Sequence, residues 1–258
     1  MQADNRMLAL AHHMADAAGE ILRRYWRLAV IVDRKADLSP VTLADREAEA
    51  AMRALIEAHY PEHGIIGEEY GNVRSESPYQ WVLDPIDGTR SFIAGYTIFT
   101  TLIALAKDSI PLLGIIDQPI TGERWVGIEG EASTLNGKPI ATRDCRTLGH
   151  AVIATTSTDY FTLPQAELFA RLRKQCANAV LGGDAYAYAM LASGQIDIVA
   201  DAGMKPYDFC ALKPVIEGAG GIVTDWNGNP LTIASDGRII AAASKELHGQ
   251  ALKFLSAT

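Results

Sequence analysis

Between residues 7 and 26 apolar side chains recur every three or four positions. Leu8, Ala11, Met14, Ala15, Ala18, Ile21, Leu22 and Tyr25 fall on one stripe, which predicts an amphipathic helix over Met7–Trp26 with one face against a core. A short extended piece follows at Val30–Asp33, then a loop ending at Ser39-Pro40. Thr42 or Asp45 then opens a second helix through His59, stopped by Pro61 and Gly64. From Trp81 the period changes. Short apolar runs separated by turns, WVLD, TLIAL, LLGIID and RWVGI, predict sheet strands. A seam is expected at Gly137-Lys138-Pro139 and the polar stretch after it. Beyond it strand AVIAT, helix Gln165–Cys176, strand AVLGG, helix Ala185–Ser193, strand IDIVAD, helix Tyr207–Gly218 and strand GIVTDW alternate in the α/β manner. Residues 1–140 are therefore expected to form an N-terminal α+β half and 141–258 a C-terminal α/β half of one unit.

A chain of 258 residues is long enough to bury a sizeable core, and 48% hydrophobic with 21% charged residues is ordinary for a globular protein. The net charge of −8 and the lack of a Lys/Arg cluster argue against nucleic acid, whose affinity comes from neutralised phosphates. A small metabolite fits better. Three scattered cysteines, Cys145, Cys176 and Cys210, make neither a disulfide framework nor a CxxC metal site. The start carries acidic residues where a secretory signal would be basic and then apolar, and no stretch is apolar enough for a membrane span. A cytoplasmic protein is expected.

The chemistry concentrates in WVLDPIDGTRSFIAG, residues 81–95. A strand delivers Asp84 at its end, Pro85 stops regular pairing, and Gly88 frees a sharp turn, so that Asp84 and Asp87 can converge with the Ile86 carbonyl between them. Two carboxylates and a carbonyl are hard oxygen ligands suited to Mg²⁺. A helix start at Gly88, Thr89 and Arg90 would present free amides to an anion. Taken alone, DxxDG is more often a capped type I turn. The wider context adds Gly67-Glu68-Glu69 upstream and Pro206-Tyr207-Asp208 downstream, acids that taken singly are more often solvated caps. Brought together, they would repel one another and call for bound cations.

These three segments, GEE, WVLDPIDGT and PYD, resemble the signature regions of the inositol monophosphatase family, and the likeness runs over nearly the whole chain. The resemblance implies a layered α/β fold, an α+β sandwich of the sugar-phosphatase type, and a homodimer. It further implies that Glu68, Asp84, Asp87, Asp208 and the Ile86 carbonyl hold two or three Mg²⁺ ions, with Mn²⁺ an acceptable substitute. On the same grounds Glu68 and Thr89 orient the attacking water, Thr42 and Asp45 play a supporting catalytic role, and Gly88, Thr89, Arg90 and Gly183 cradle the phosphate. The implied reaction is metal-assisted hydrolysis of a phosphate monoester without a covalent enzyme intermediate.

Three stretches bear on the alcohol. Residues 114–119 with Glu123-Arg124-Trp125, then Gly182-Gly183-Asp184 with Tyr186 and Tyr188, then Met204-Lys205-Pro206-Tyr207-Asp208, resemble the histidinol-phosphatase branch. Histidinol phosphate carries an ammonium and an imidazole, which Asp184 and Asp201 could pair with. Asp201 stands where the family usually has Glu, and Asp184 reads equally well as a helix cap. Tyr96-Thr97-Ile98 and Thr100-Thr101 also depart from the branch and are expected on a strand beside the metal site. Alternatives are hydrolysis of inositol 1-phosphate or another small sugar phosphate, and a catalytically silent homologue that binds metal or metabolite. The segment Glu217–Gly221 follows a helix and enters a strand, the reverse of dinucleotide-binding order, and Asn136–Pro139 lacks the Ser or Thr of a P-loop.

Overall fold

A computed structural model of the protein describes residues 5–28, 32–34 and 40–256. Residues 30 and 31 of the expected extended piece, and residues 35–39 of the expected loop, lie outside the described residues. Helix α1 spans Asn5–Tyr25 and buries Leu10, Met14, Ala18 and Leu22, close to the predicted stripe. Strands β1 (Val32–Arg34) and β2 (Pro40–Thr42) pair antiparallel and lead into α2, Leu43–His59. Thr42 is its N-cap, because its hydroxyl accepts from the Ala44 and Asp45 amides.

Eight strands follow: β3 (Gly64–Gly67), β4 (Gly71–Val73), β5 (Tyr79–Asp87), β6 (Thr100–Lys107), β7 (Ile110–Gln118), β8 (Glu123–Ile128), β9 (Thr134–Leu135) and β10 (Lys138–Pro139). Helix α3, Thr89–Ala94, sits between β5 and β6. They form one sheet in the order β10-β9-β8-β7-β6-β5-β3-β4. The second sheet is built from β11 (Val152–Thr155), β12 (Asn178–Leu181), β13 (Ile198–Asp201), β14 (Ile222–Asp225) and β15 (Ile239–Ala242), in the order β12-β11-β13-β15-β14. Helices α4 (Leu163–Arg173), α5 (Asp184–Ala192), α6 (Pro206–Phe209), α7 (Leu212–Gly218) and α8 (Lys245–Leu255) complete the chain.

The period-2 alternation of strands decides the layering. On β5, Trp81 and Leu83 join α1 and α2 in one core, whereas Val82 joins α5 and α7 in another. On the smaller sheet Val199 and Ala241 face α5 and α7, whereas Ile198, Ala200 and Ile240 face α4 and α8. The order of layers is therefore helices, large sheet, helices, small sheet, helices. Both sheets are covered on both faces, which is why β6 and β7 read as continuous apolar runs.

Several elements differ from the sequence reading. The helix expected over Tyr207–Gly218 is broken at Cys210-Ala211, because Pro214 has no N–H to offer the Cys210 carbonyl and its ring would clash with it. Helix α4 starts earlier than Gln165, since the Gln165 side chain reaches back to the Thr162 amide at 2.8 Å and Pro164 is tolerated in the first turn. Strand β15 and helix α8, capped by Ser244, lie in a stretch whose pattern predicts nothing above. The three cysteines are free thiols.

Candidate active site

A cleft of about 480 Å³ opens beside the C-terminal end of β5 and is lined from both sheets. Its floor is the segment Asp84–Asp87. Side chains three apart on a regular strand point to opposite faces, yet both aspartates line this cleft. The pairing with β6 supplies the reason: Asp84 is opposite Leu102 and Asp87 opposite Thr100, so β5 carries one extra residue in a bulge. Pro85 lies within the bulge and pairing resumes at Asp87, two residues beyond the proline that was expected to stop it. The Asp84 carboxylate accepts from the Ile86 amide at 3.0 Å, and the Pro85 carbonyl accepts from Thr101 Oγ1 at 2.9 Å. Thr101 thus braces the ligand loop directly, closer to the chemistry than its place on a neighbouring strand suggests.

Carboxylate oxygens of Asp84, Asp87 and Asp208 all lie within 4.8 Å of one another, with Asp84 buried and the other two half-buried. Burial pushes the Asp84 carboxyl well above the ordinary range, and Glu68, Asp87 and Asp208 push it further; Glu68 also shares a hydrogen bond with it. Burial likewise raises Asp87, reinforced by Asp184 and Asp208 and opposed by the Ala185 amide, which donates to Asp87 Oδ2 at 2.6 Å. Asp208 is pushed up to about 7, chiefly by burial. Three carboxylates at such separations, with Glu68 lining the same cleft, fit hard divalent cations and would be held together by them. Glu68, Asp84, Ile86, Asp87 and Asp208 all line the cleft and could hold such ions.

Asp208 arrives from the far sheet on α6, where its Oδ2 accepts from the Lys205 amide at 2.6 Å. The corner between α6 and α7 rests on two bare positions of the large sheet. A Cβ on Gly114 would lie 2.1 Å from the Ala211 carbonyl oxygen, and one on Gly127 2.3 Å from the Val215 nitrogen. The two glycines are cross-strand partners, so the sheet is flat where the helix corner docks.

Gly88, at φ +82°, turns the chain into α3 with Thr89 and Arg90 at the mouth. Thr89 Oγ1 donates to the Ile86 carbonyl at 3.1 Å. Asp184 is the first residue of α5 and takes a left-handed φ of +45°. Its carboxylate lies over Gly88, where a Cβ would be 2.6 Å from Asp184 Oδ2, and it accepts from Ser91 Oγ at 3.3 Å. Burial and the neighbouring Asp201 raise it to about 6. Asp201 also borders the cleft, but its oxygens already accept from Thr155 Oγ1, the Thr156 amide and the Tyr188 hydroxyl at 2.7 to 2.9 Å.

Three expected participants, Gly183, Thr42 and Asp45, are not among the residues that line the cleft. Gly183 is buried as the N-cap of α5. Asp45 is buried in α2, where its Oδ2 accepts from the Thr42 amide and hydroxyl at 2.7 and 2.6 Å. Thr156, Tyr160, Met204 and Lys205 line the cleft without having been singled out above as site residues. The spacing of residues within one segment carries no trace of a partner from another sheet.

Clustered carboxylates beside the start of a helix fit a metal-dependent phosphoester hydrolase. The model of the inositol monophosphatase family matches residues 4–257. The chain belongs to that family, whose members are metal-dependent phosphatases, typically with Mg²⁺. It is 46% identical to the chloroplastic bifunctional phosphatase IMPL2 of Arabidopsis thaliana, over 97% of this chain and 75% of that one. It is 33% identical to the histidinol-phosphatase of Mycobacterium tuberculosis over the full length of both. Among solved structures, an inositol monophosphatase from Zymomonas mobilis matches with a TM-score of 0.91 and 47% identity, covering 99% of each chain. Among the described residues no helix is long and apolar enough to cross a membrane.

Proposed function

We propose that the protein hydrolyses L-histidinol phosphate to L-histidinol and phosphate. Glu68, Asp84, Asp87, Asp208 and the Ile86 carbonyl hold two or three Mg²⁺ ions, which when bound supply an activated water and neutralise the leaving oxygen. Glu68 and Thr89 orient the water, and Asp45 fixes the start of α2 through Thr42. Gly88, Thr89 and Arg90 receive the phosphate, and Gly183 sets the turn that aims α5 at it. The observation that carries the choice of alcohol is the Asp184 carboxylate over Gly88, within reach of a cation attached to the ester. Asp201, its oxygens already engaged, anchors Tyr188 and the 155–156 segment. Likeness to histidinol-phosphatases over 91% or more of each chain supports the same reading.

A second reading, inositol 1-phosphate or another small sugar phosphate, is favoured by the 47% identity with the Zymomonas enzyme. A catalytically silent homologue is disfavoured by the full set of acids. The wild-type kcat/KM for histidinol phosphate should exceed that for inositol 1-phosphate; the reverse order refutes the assignment. Asp184→Asn keeps a side chain that tolerates the left-handed backbone while removing the charge. It should lower kcat/KM for histidinol phosphate about ten- to a hundredfold and barely alter glycerol phosphate hydrolysis. An equal loss on both esters would make Asp184 a structural cap. On the same reading residues 1–140 and 141–258 are two halves meeting at the cleft of a cytoplasmic homodimer, without nucleic-acid or membrane partners. Light scattering tests the dimer.

A further inference from the structure

Tyr160 ends a single 3-10 turn, Thr158–Tyr160, that follows β11 on the small sheet. Arg90 lies in the first turn of α3 on the large sheet. The two meet across the cleft, with the guanidinium carbon 5.3 Å from the centre of the Tyr160 ring. Among the described residues Arg90 makes no ion pair although several carboxylates line the same cavity, and the Tyr160 hydroxyl has no hydrogen-bond partner. The ring belongs to none of the three apolar cores, and 47% of the residue is exposed. Packing therefore gives no reason for an aromatic side chain here. The surroundings give a chemical one, since Tyr160, Arg90 and Asp184 border a single cavity. Burial holds the phenol above its ordinary range, opposed by Arg90 and reinforced by the acids at 184, 87 and 208.

An anion-receiving Arg, a carboxylate for a cation and an open aromatic face suit an ester that carries a planar, protonatable ring. We propose that Tyr160 is a specificity-determining residue, its ring steadied by Arg90 and stacked against the imidazole of the substrate. It thereby ranks ring-bearing esters above polyol esters. The proposal rests on the histidinol phosphate reading, in which three carbons separate the ester oxygen from the ring.

The test compares Tyr160→Phe and Tyr160→Leu with wild type on histidinol phosphate and glycerol phosphate, with thermal melts to check folding. Leucine keeps apolar bulk and loses the π face. It should raise KM for histidinol phosphate about three- to tenfold with kcat little changed, while phenylalanine stays within twofold of wild type. Glycerol phosphate should respond to neither variant. Equal losses on both esters, or a phenylalanine variant as poor as leucine, would overturn the proposal. If the wild type prefers inositol 1-phosphate, the substrate reading has failed, and 3-phenylpropyl phosphate against propyl phosphate still judges the ring. A preference for the phenylpropyl ester that Tyr160→Leu removes upholds the aromatic platform, and no such preference overturns it.

Discussion

The position of Asp208 depends on a contact that leaves no room for a methyl group, and Gly114→Ala perturbs it without touching the site. The new Cβ would lie 2.1 Å from the Ala211 carbonyl oxygen, 2.8 Å from its carbon and 2.9 Å from Pro214 Cγ. Two of these atoms are backbone, so no side chain can rotate away. Reaching even 3.0 Å, which real contacts of this kind hardly undercut, requires the α6–α7 corner to move by about 0.9 Å. Overpacking of this kind typically costs about 1–3 kcal/mol, and 2 kcal/mol lowers Tm by about 4–8 °C for a chain of this size. Asp208 lies three residues before Ala211 on the same corner, so it should shift with it. A misplacement of about 1 Å at a reacting centre costs roughly a hundredfold in rate. Melting curves and kcat at saturating Mg²⁺ should thus show a modest stability loss beside a large activity loss. A variant with unchanged Tm and activity would show that the corner is not held by this contact. A variant that loses stability but keeps kcat would show that Asp208 is positioned independently of it.

Asp87→Asn keeps an acceptor for the Ala185 amide while removing one ligand charge, so Mg²⁺-dependent turnover should vanish with Tm in EDTA little changed; activity within a few fold of wild type refutes it. The all-oxygen ligand set predicts turnover with Mg²⁺ or Mn²⁺ and inhibition by excess Ca²⁺, whose longer bonds and higher coordination would misplace water and leaving group; full activity with Ca²⁺ alone refutes it. In the metal-free protein Asp208 keeps its proton up to about pH 7, whereas the unfolded chain releases it near 3.8. The folded state then binds more protons, so stability falls as pH rises through that window. Melts in EDTA should show a lower Tm at pH 8 than at pH 5, and Asp208→Asn should shrink the difference. A metal-free Tm that rises across the window would refute this sign.

The local chemistry of the cleft floor was legible in residues 81–95, because a strand, a proline and a glycine within eight positions constrain the backbone by sterics alone. So were the apolar runs of β6 and β7, whereas the start of α2 was narrowed only to Thr42 or Asp45. What the sequence could not fix was every distance between segments far apart in the chain. The bulge that turns Asp84 and Asp87 to one side is a matter of register against Thr100 and Leu102. The break before Pro214 follows from a visible proline, yet its use, seating Ala211 and Pro214-Val215 on Gly114 and Gly127, exists only once α7 lies on the large sheet. Asp45 and Gly183 prove to be absent from the cleft lining, and Tyr160 enters it, because layer packing rather than motif spacing decides which side chains share a cavity. Local sterics act within a few bonds and leave a mark in the sequence. Burial and electrostatic crowding act through space, and only the tertiary structure brings the charges to one point.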